Sequence, residues 1–118
     1  MENPSNPLLY KAAYDLLSTV VDLVSNMPRG FKNSVGITTS DECMAVVVLI
    51  FRASCAQEKA EYVSELTERL QVTELLLRLS RDKRLISTGQ YANAIELTGD
   101  VRAQVSGWPR SAISSARR

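Results

Sequence analysis

From residue 9 onward, apolar side chains recur at spacings of three and four: Leu9, Ala13, Leu16, Val20, Leu23 and Met27. That is the period of an α-helix with one face turned inward. Leu17, Val21 and Val24 widen the stripe to a second face. Asn6 is a favourable N-cap, and Pro7 suits the first helical position, where its missing N–H would be unpaired anyway. Pro28 and Gly30 close the segment, so the spacing predicts a helix over about 7–27. A polar loop is expected from Pro28 to about Thr38.

The second segment opens with Thr39-Ser40-Asp41-Glu42, the pattern of a capping box. In that motif the hydroxyl bonds an orphan amide while the glutamate reaches back. Asp41 and Glu42 also suit the positive end of a helix dipole. Cys43 to Phe51 is then apolar all round, and periodicity alone does not separate a buried helix from a buried strand. A lone strand would have no partner in this sequence, so a helix is expected over about 40–55. All-round apolarity implies burial on more than one side, with a neighbouring subunit as one candidate for the second side. Val47, Leu49 and Phe51 are the candidate interface residues.

Val63, Leu66, Leu70, Thr73 and Leu77 fall at heptad spacing, with Glu61, Glu65 and Glu68 on another face. This predicts a helix over about 58–84. No Gly or Pro separates it from the preceding helix. An unbroken helix of about 45 residues would far exceed the usual ~11–12, so a break is placed near Ser54-Cys55-Ala56-Gln57. A second capping box, Ser87-Thr88-Gly89-Gln90, starts the last helix, over about 88–108. Its stripe is Tyr91, Ala94, Thr98, Val101, Val105 and Trp108, and Gly107 and Pro109 end it. The Ser/Ala/Arg-rich tail, 111–118, is expected to fray. Four helices with short connections predict an all-α, antiparallel up-down-up-down bundle, a single domain over 1–118.

The chain has 118 residues, 45% hydrophobic and 6% aromatic, enough to bury a core without staples. Net charge is +1, so no global field draws in nucleic acid. Segregation changes that picture. In the expected topology the first and third loops share one end of the bundle. Arg29 and Lys32 then converge with Arg78, Arg81, Lys83 and Arg84, against Asp41, Glu42, Glu74 and Asp82. Glu58, Glu61 and Glu65 gather at the other end. An arginine-rich pole suits phosphate contacts; the plainer reading is that these cations complement helix dipoles and solubilise the surface. Arg110, Arg117 and Arg118 form a second basic group, either a reaching arm or a solubilising tail.

Catalytic signals are missing. There is no histidine, which removes the commonest general base and metal ligand. No phosphate-binding glycine loop and no C-x-x-C is present. Glu58, Glu61, Glu65 and Glu68 read as a solvated acidic face pairing with Lys59 and Arg69 rather than as a metal site. No enzyme activity, cofactor or metal is expected. Cys43 and Cys55 lie roughly 18 Å apart if they share one helix, so they read as unpaired, buried apolar residues. The apolar run is too short to span a bilayer, and no signal-peptide layout is seen; a cytoplasmic location without membrane association is expected. Trp108 reads as a core anchor before a base-stacking platform.

Several short motifs, in order, carry a resemblance. They are Met27-Pro28-Arg29 followed by Val35-Gly36; Leu75-Leu76-Leu77-Arg78-Leu79; Leu85-Ile86-Ser87 followed by Gln90-Tyr91; and Ser106-Gly107-Trp108-Pro109-Arg110-Ser111. Over roughly residues 8–111 the chain resembles the four-helix-bundle family of ribosomal intervening-sequence proteins. Within it, the similarity is closest to the accessory variability determinants of diversity-generating retroelements. The resemblance implies a ring-shaped homopentamer. It also implies a reverse transcriptase as partner and binding to template RNA or its RNA–cDNA hybrid, with no chemistry of its own. It makes Arg29, Lys32, Arg78, Arg81, Lys83, Arg84 and Arg110 candidates for nucleic-acid or polymerase contact. The chain departs from the family in being almost neutral, in carrying Pro109 where an apolar helix former is usual, and in having Ser106 for a glycine. The alternative expectation is a self-assembling protein-interaction module without nucleic-acid binding.

Overall fold

The computed structural model describes residues 7–108, and among them every regular element is helical. Four long helices, α1 (Pro7–Ser25), α3 (Ile37–Cys55), α4 (Ala60–Asp82) and α5 (Thr88–Ser106), are joined by short connections. A short helix α2 (Arg29–Phe31) and a π-helical segment (Lys32–Gly36) precede α3. α1 packs against α3 and α5, and α4 packs against the same two, so the four close around one core. The body is 46 Å long and about half as wide.

The predicted stripes form that core. Leu9, Ala13, Leu16, Val20, Leu23 and Met27 are all buried, as are Leu66, Leu70, Thr73 and Leu77 on α4. On α5, Ala94, Thr98, Val101 and Val105 are buried, as is Trp108 just beyond its end, while Tyr91 is only half so. The buried hydroxyls stay satisfied by donating to carbonyls of the preceding turn: Thr39 to Val35, Thr73 to Arg69 and Ser80 to Leu76. Thr98 donates to Ile95 and to Glu74 of α4. None of the described buried side-chain polar atoms lacks a partner, as a close-packed interior requires.

The expected first loop differs most. Arg29 to Cys55 is one continuous 27-residue helical run with a π turn inside it. The Thr39-Ser40-Asp41-Glu42 capping box therefore does not form, because the amides it would satisfy already have partners in the preceding turn. Thr39 instead donates backward to the Val35 carbonyl, and Glu42 pairs with Arg69 of α4. Ser34 and Thr38 likewise donate to Gly30 and Ser34 carbonyls along the widened turn. Gly36 lies where this run meets the end of α1: a Cβ there would stand 2.9 Å from Val24 Cγ1 and 3.3 Å from Met27 Sδ. Only a residue without a side chain allows that approach.

This run is also the one helix, among the described residues, long and apolar enough by length and composition to cross a membrane. On its N-terminal side the nine-residue apolar stretch meets Asp41 and Glu42, with uncharged residues from Asn33 to Ser40 before them. A core helix meets the same test, and here the face with Cys43, Val46, Ile50 and Ala53 is buried within the bundle.

The break between α3 and α4 falls at residues 56–59, next to the expected position. Lys59 closes it. Its Nζ donates to the Ala53 and Ala56 carbonyls at 2.6 and 2.8 Å, satisfying the free end of α3, and stands 5.5 Å from the Trp108 ring centre. Lys59 is thus a cap and not part of a paired acidic face. Cys43 is buried, and desolvation pushes its thiol up to about 12. Cys55, expected to be buried, is exposed at the end of α3; both thiols are free. The N-cap expected at Asn6 and the tail 111–118 lie outside the described residues.

Candidate nucleic-acid interface

Four of the candidate cations sit where α4 ends and turns into α5. Arg78 is exposed on the last turns of α4. Arg81 lies with its guanidinium 4.4 Å from the Tyr91 ring centre and bonds Asp82 at 2.9 and 3.1 Å. A ring face and a carboxylate together fix a side chain that would otherwise be free. Lys83 is the C-cap of α4, and Arg84 follows with φ 62°. The Leu85 amide then donates to the Ser80 carbonyl at 2.8 Å, which completes a Schellman closure with arginine in the left-handed position that usually holds glycine.

The chain re-enters a helix at once. Ser87 Oγ accepts from the Gln90 amide and the Gln90 side chain accepts from the Ser87 amide, so the second capping box forms as the sequence predicts. Between the end of α4 and the start of α5 lies an open groove of about 550 Å³, with Arg81 and Arg84 on one wall and Ser87, Thr88 and Gln90 on the other. Asp82, Leu85 and Ile86 complete its lining, so two guanidinium groups, one carboxylate and the polar side chains of α5 surround it.

Arg29 and Lys32 lie on α2 and at the start of the π segment. The ion pairs show which cations remain uncommitted. Arg69 pairs with Glu42, Arg102 with Glu74, Arg81 with Asp82 and Lys11 with Asp15. Arg29, Lys32, Arg78, Lys83 and Arg84 make no ion pair among the described residues, and neither does Arg52, which lies apart from them near the C-terminal end of α3. Three of the four acids set against them in the sequence, Glu42, Glu74 and Asp82, are engaged elsewhere or within their own pair. Arg110 lies outside the described residues.

Glu74 forms the best-held polar cluster, beside this region. It accepts from Thr98 Oγ1 at 2.7 Å and from both terminal nitrogens of Arg102 at 2.9 and 3.1 Å. Burial alone would raise its carboxyl, but the hydrogen bonds from Arg102 and Thr98 and the Arg102 charge outweigh it and hold it below the ordinary carboxylate value. Arg69 is raised by its hydrogen bond to Glu42. Among the described residues, no three Cys, Asp or Glu side chains gather to hold a metal.

The candidate subunit-interface residues divide. Leu49 is 5% exposed and belongs to the chain's own core, so it has no surface to give a neighbour. At 100° per residue the inward face takes residues 43, 46, 49, 50 and 53, and turns 44 and 48 outward. Met44 and Val48 are accordingly exposed, while Val47 and Phe51 are half-buried. With Tyr10 of α1, Val47, Val48 and Phe51 line a shallow apolar groove of about 250 Å³.

Sequence spacing missed Lys59, the Arg81–Tyr91 stack and the Glu74–Arg102–Thr98 cluster, each of which joins residues from different helices or across a turn. The lone polar Thr98 in an apolar stripe was the one available signal for the last. No known protein family, curated protein or solved structure matches the chain.

Proposed function

We propose that this chain is a non-catalytic accessory protein of a diversity-generating retroelement, acting in the cytoplasm. It binds the reverse transcriptase together with template RNA or the RNA–cDNA hybrid, through a basic pole of Arg29, Lys32, Arg78, Arg81, Lys83, Arg84 and Arg110. The observation that carries this reading is the set of five exposed or half-exposed cations of this pole without an acid partner among the described residues, in a chain whose net charge is only +1. Cations left unneutralised attract a polyanion, and arginine matches phosphate geometry.

An antiparallel arrangement brings the two halves of the pole together. The cross-helix pairs support it: Glu74 meets residues 98 and 102 while Arg81 meets Tyr91, so position advances on α4 as it falls on α5. From the Glu42–Arg69 bridge, Arg29 lies 13 residues back along one helical run and Asp82 13 residues forward along α4. At about 1.5 Å per residue both then end roughly 20 Å from the bridge, at the same end of the bundle. A ring of five subunits would place five such poles side by side.

The test is co-elution of the purified chain with the retroelement's reverse transcriptase and template RNA, followed by light scattering. The parent chain forms the ternary complex, and Arg81→Glu with Lys83→Glu and Arg84→Glu does not, at unchanged helicity. A complex that tolerates the triple reversal refutes the assignment of the pole.

A second reading is a self-assembling interaction module that does not bind nucleic acid. The exposed apolar face of Tyr10, Tyr14, Met44 and Val48 favours it. It predicts an oligomer whose mass nuclease leaves unchanged and which Val48→Asp dissociates.

A further inference from the structure

The outward ridge of α4 changes character halfway along. Glu61, Ser64, Glu68 and Gln71 are exposed and polar, as a solvent-facing ridge should be. One turn later the same ridge presents Leu75, Arg78 and Leu79, all exposed; Leu75 is 64% accessible although nothing in the core calls for a leucine there. Residues 75, 78 and 79 share one face of a helix. Arg78 makes no ion pair among the described residues. The acids within a turn of it are committed, Glu74 to Arg102 and Asp82 to Arg81. A carboxylate arriving from outside would therefore meet an unneutralised guanidinium between two leucines.

We propose that this ridge is the protein-docking surface of the chain, distinct from the phosphate-facing groove at Arg81 and Arg84. Its occupant is an amphipathic, acidic segment of the polymerase, with two apolar side chains against Leu75 and Leu79 and a carboxylate on Arg78. The inference rests on the accessory-protein reading above. Nucleic acid fits the ridge poorly, since leucines offer neither donors to phosphates nor an aromatic face to bases. Apolar side chains around an arginine are the composition of a protein interface centre. The apolar face on α1 and α3 lies on other helices and remains free for self-association.

The experiment measures binding of the full chain to immobilised reverse transcriptase by interferometry, and to template RNA by fluorescence anisotropy. The variants are Leu75→Ser with Leu79→Ser, and separately Arg78→Glu. All three sites are exposed, and circular dichroism checks that helicity is kept. The leucine double variant is expected to bind the polymerase at least tenfold more weakly while its RNA affinity stays within twofold of the parent. Arg78→Glu is expected to lose polymerase binding to a similar degree, with Arg78→Lys retaining part of it. Equal polymerase binding by the leucine variant overturns the inference and leaves the accessory reading standing. Loss of RNA affinity or of oligomer mass in that variant assigns the ridge to nucleic acid or to a second copy, and also overturns it. A parent chain that does not bind the polymerase removes the accessory reading, and the inference falls with it.

Discussion

Replacing Arg84 by glycine separates what this position costs the fold from what it gives the surface. Arg84 has φ 62° at the end of α4. A side chain with a Cβ in the left-handed region costs roughly 1–2 kcal/mol. Glycine removes that cost, but its freer unfolded chain takes back roughly 0.5–1 kcal/mol. The hydrogen bonds of the turn, from the Arg84 amide to Arg81 and from the Leu85 amide to Ser80, are backbone bonds and survive the change. The net expectation is a gain of about 0.5–1 kcal/mol, a rise of a few degrees in melting temperature for a domain of this size. The same substitution deletes one uncommitted cation from the groove. Thermal unfolding by circular dichroism and RNA binding by anisotropy, on the same preparations, read the two effects. Greater stability with several-fold weaker RNA binding is the predicted pair. A lower melting temperature would show that the arginine side chain holds the turn, and unchanged RNA binding would remove Arg84 from the interface.

Three further outcomes follow from the packing. Gly36→Ala places a methyl 2.9 Å from Val24 Cγ1 and should destabilise by about 1–3 kcal/mol in urea unfolding; the double variant with Val24→Ala should lose less than the sum of the two single losses, and full additivity would contradict a clash between them. Ser87→Ala removes the hydroxyl that accepts from the Gln90 amide and should cost about 1 kcal/mol, whereas a neutral result would mean water replaces the cap. Glu74 has a folded-state carboxyl below its unfolded value. Its contribution is complete above the ordinary carboxylate range and is lost as pH falls through the lower folded value. Glu74→Gln should therefore be less stable than the parent near pH 7 and close the gap in acid, and a gap that stays constant with pH would exclude the ion pair as its source.

The helices were legible because their seams repeat locally. Leu66, Leu70, Thr73 and Leu77 sit at a period that only a helix turns to one side, and all four are buried. Ser87 and Gln90 show the limit of such reading. The same residue pattern at Thr39 and Glu42 gives no cap, since helical turns already precede it from Arg29. Gly30 and Pro28 looked like the borders of a loop, but glycine costs a helix only about 1 kcal/mol, and the Ser34 and Thr38 hydroxyls donate to carbonyls of the preceding turn. The cations of the candidate site could be named from sequence. Which of them lack an acid could not, because Glu42 and Glu74 find their partners 27 and 28 residues away. The inward turn of Leu49 was hidden by an apolar run with no polar side to orient it.

The central claim is that uncommitted cations at one pole bind a polyanion, and the salt dependence of RNA affinity tests it most directly. Each phosphate contact releases counterions, with a slope of roughly −0.7 to −0.9 per contact in log affinity against log salt. Engagement of Arg29, Lys32, Lys83 and Arg84 by a structured RNA or its RNA–DNA hybrid predicts a slope near −3 for one chain, shallower by about one unit for each cation replaced by alanine. A flat slope, or no binding even at low salt, would contradict the account and leave a protein that meets only other proteins.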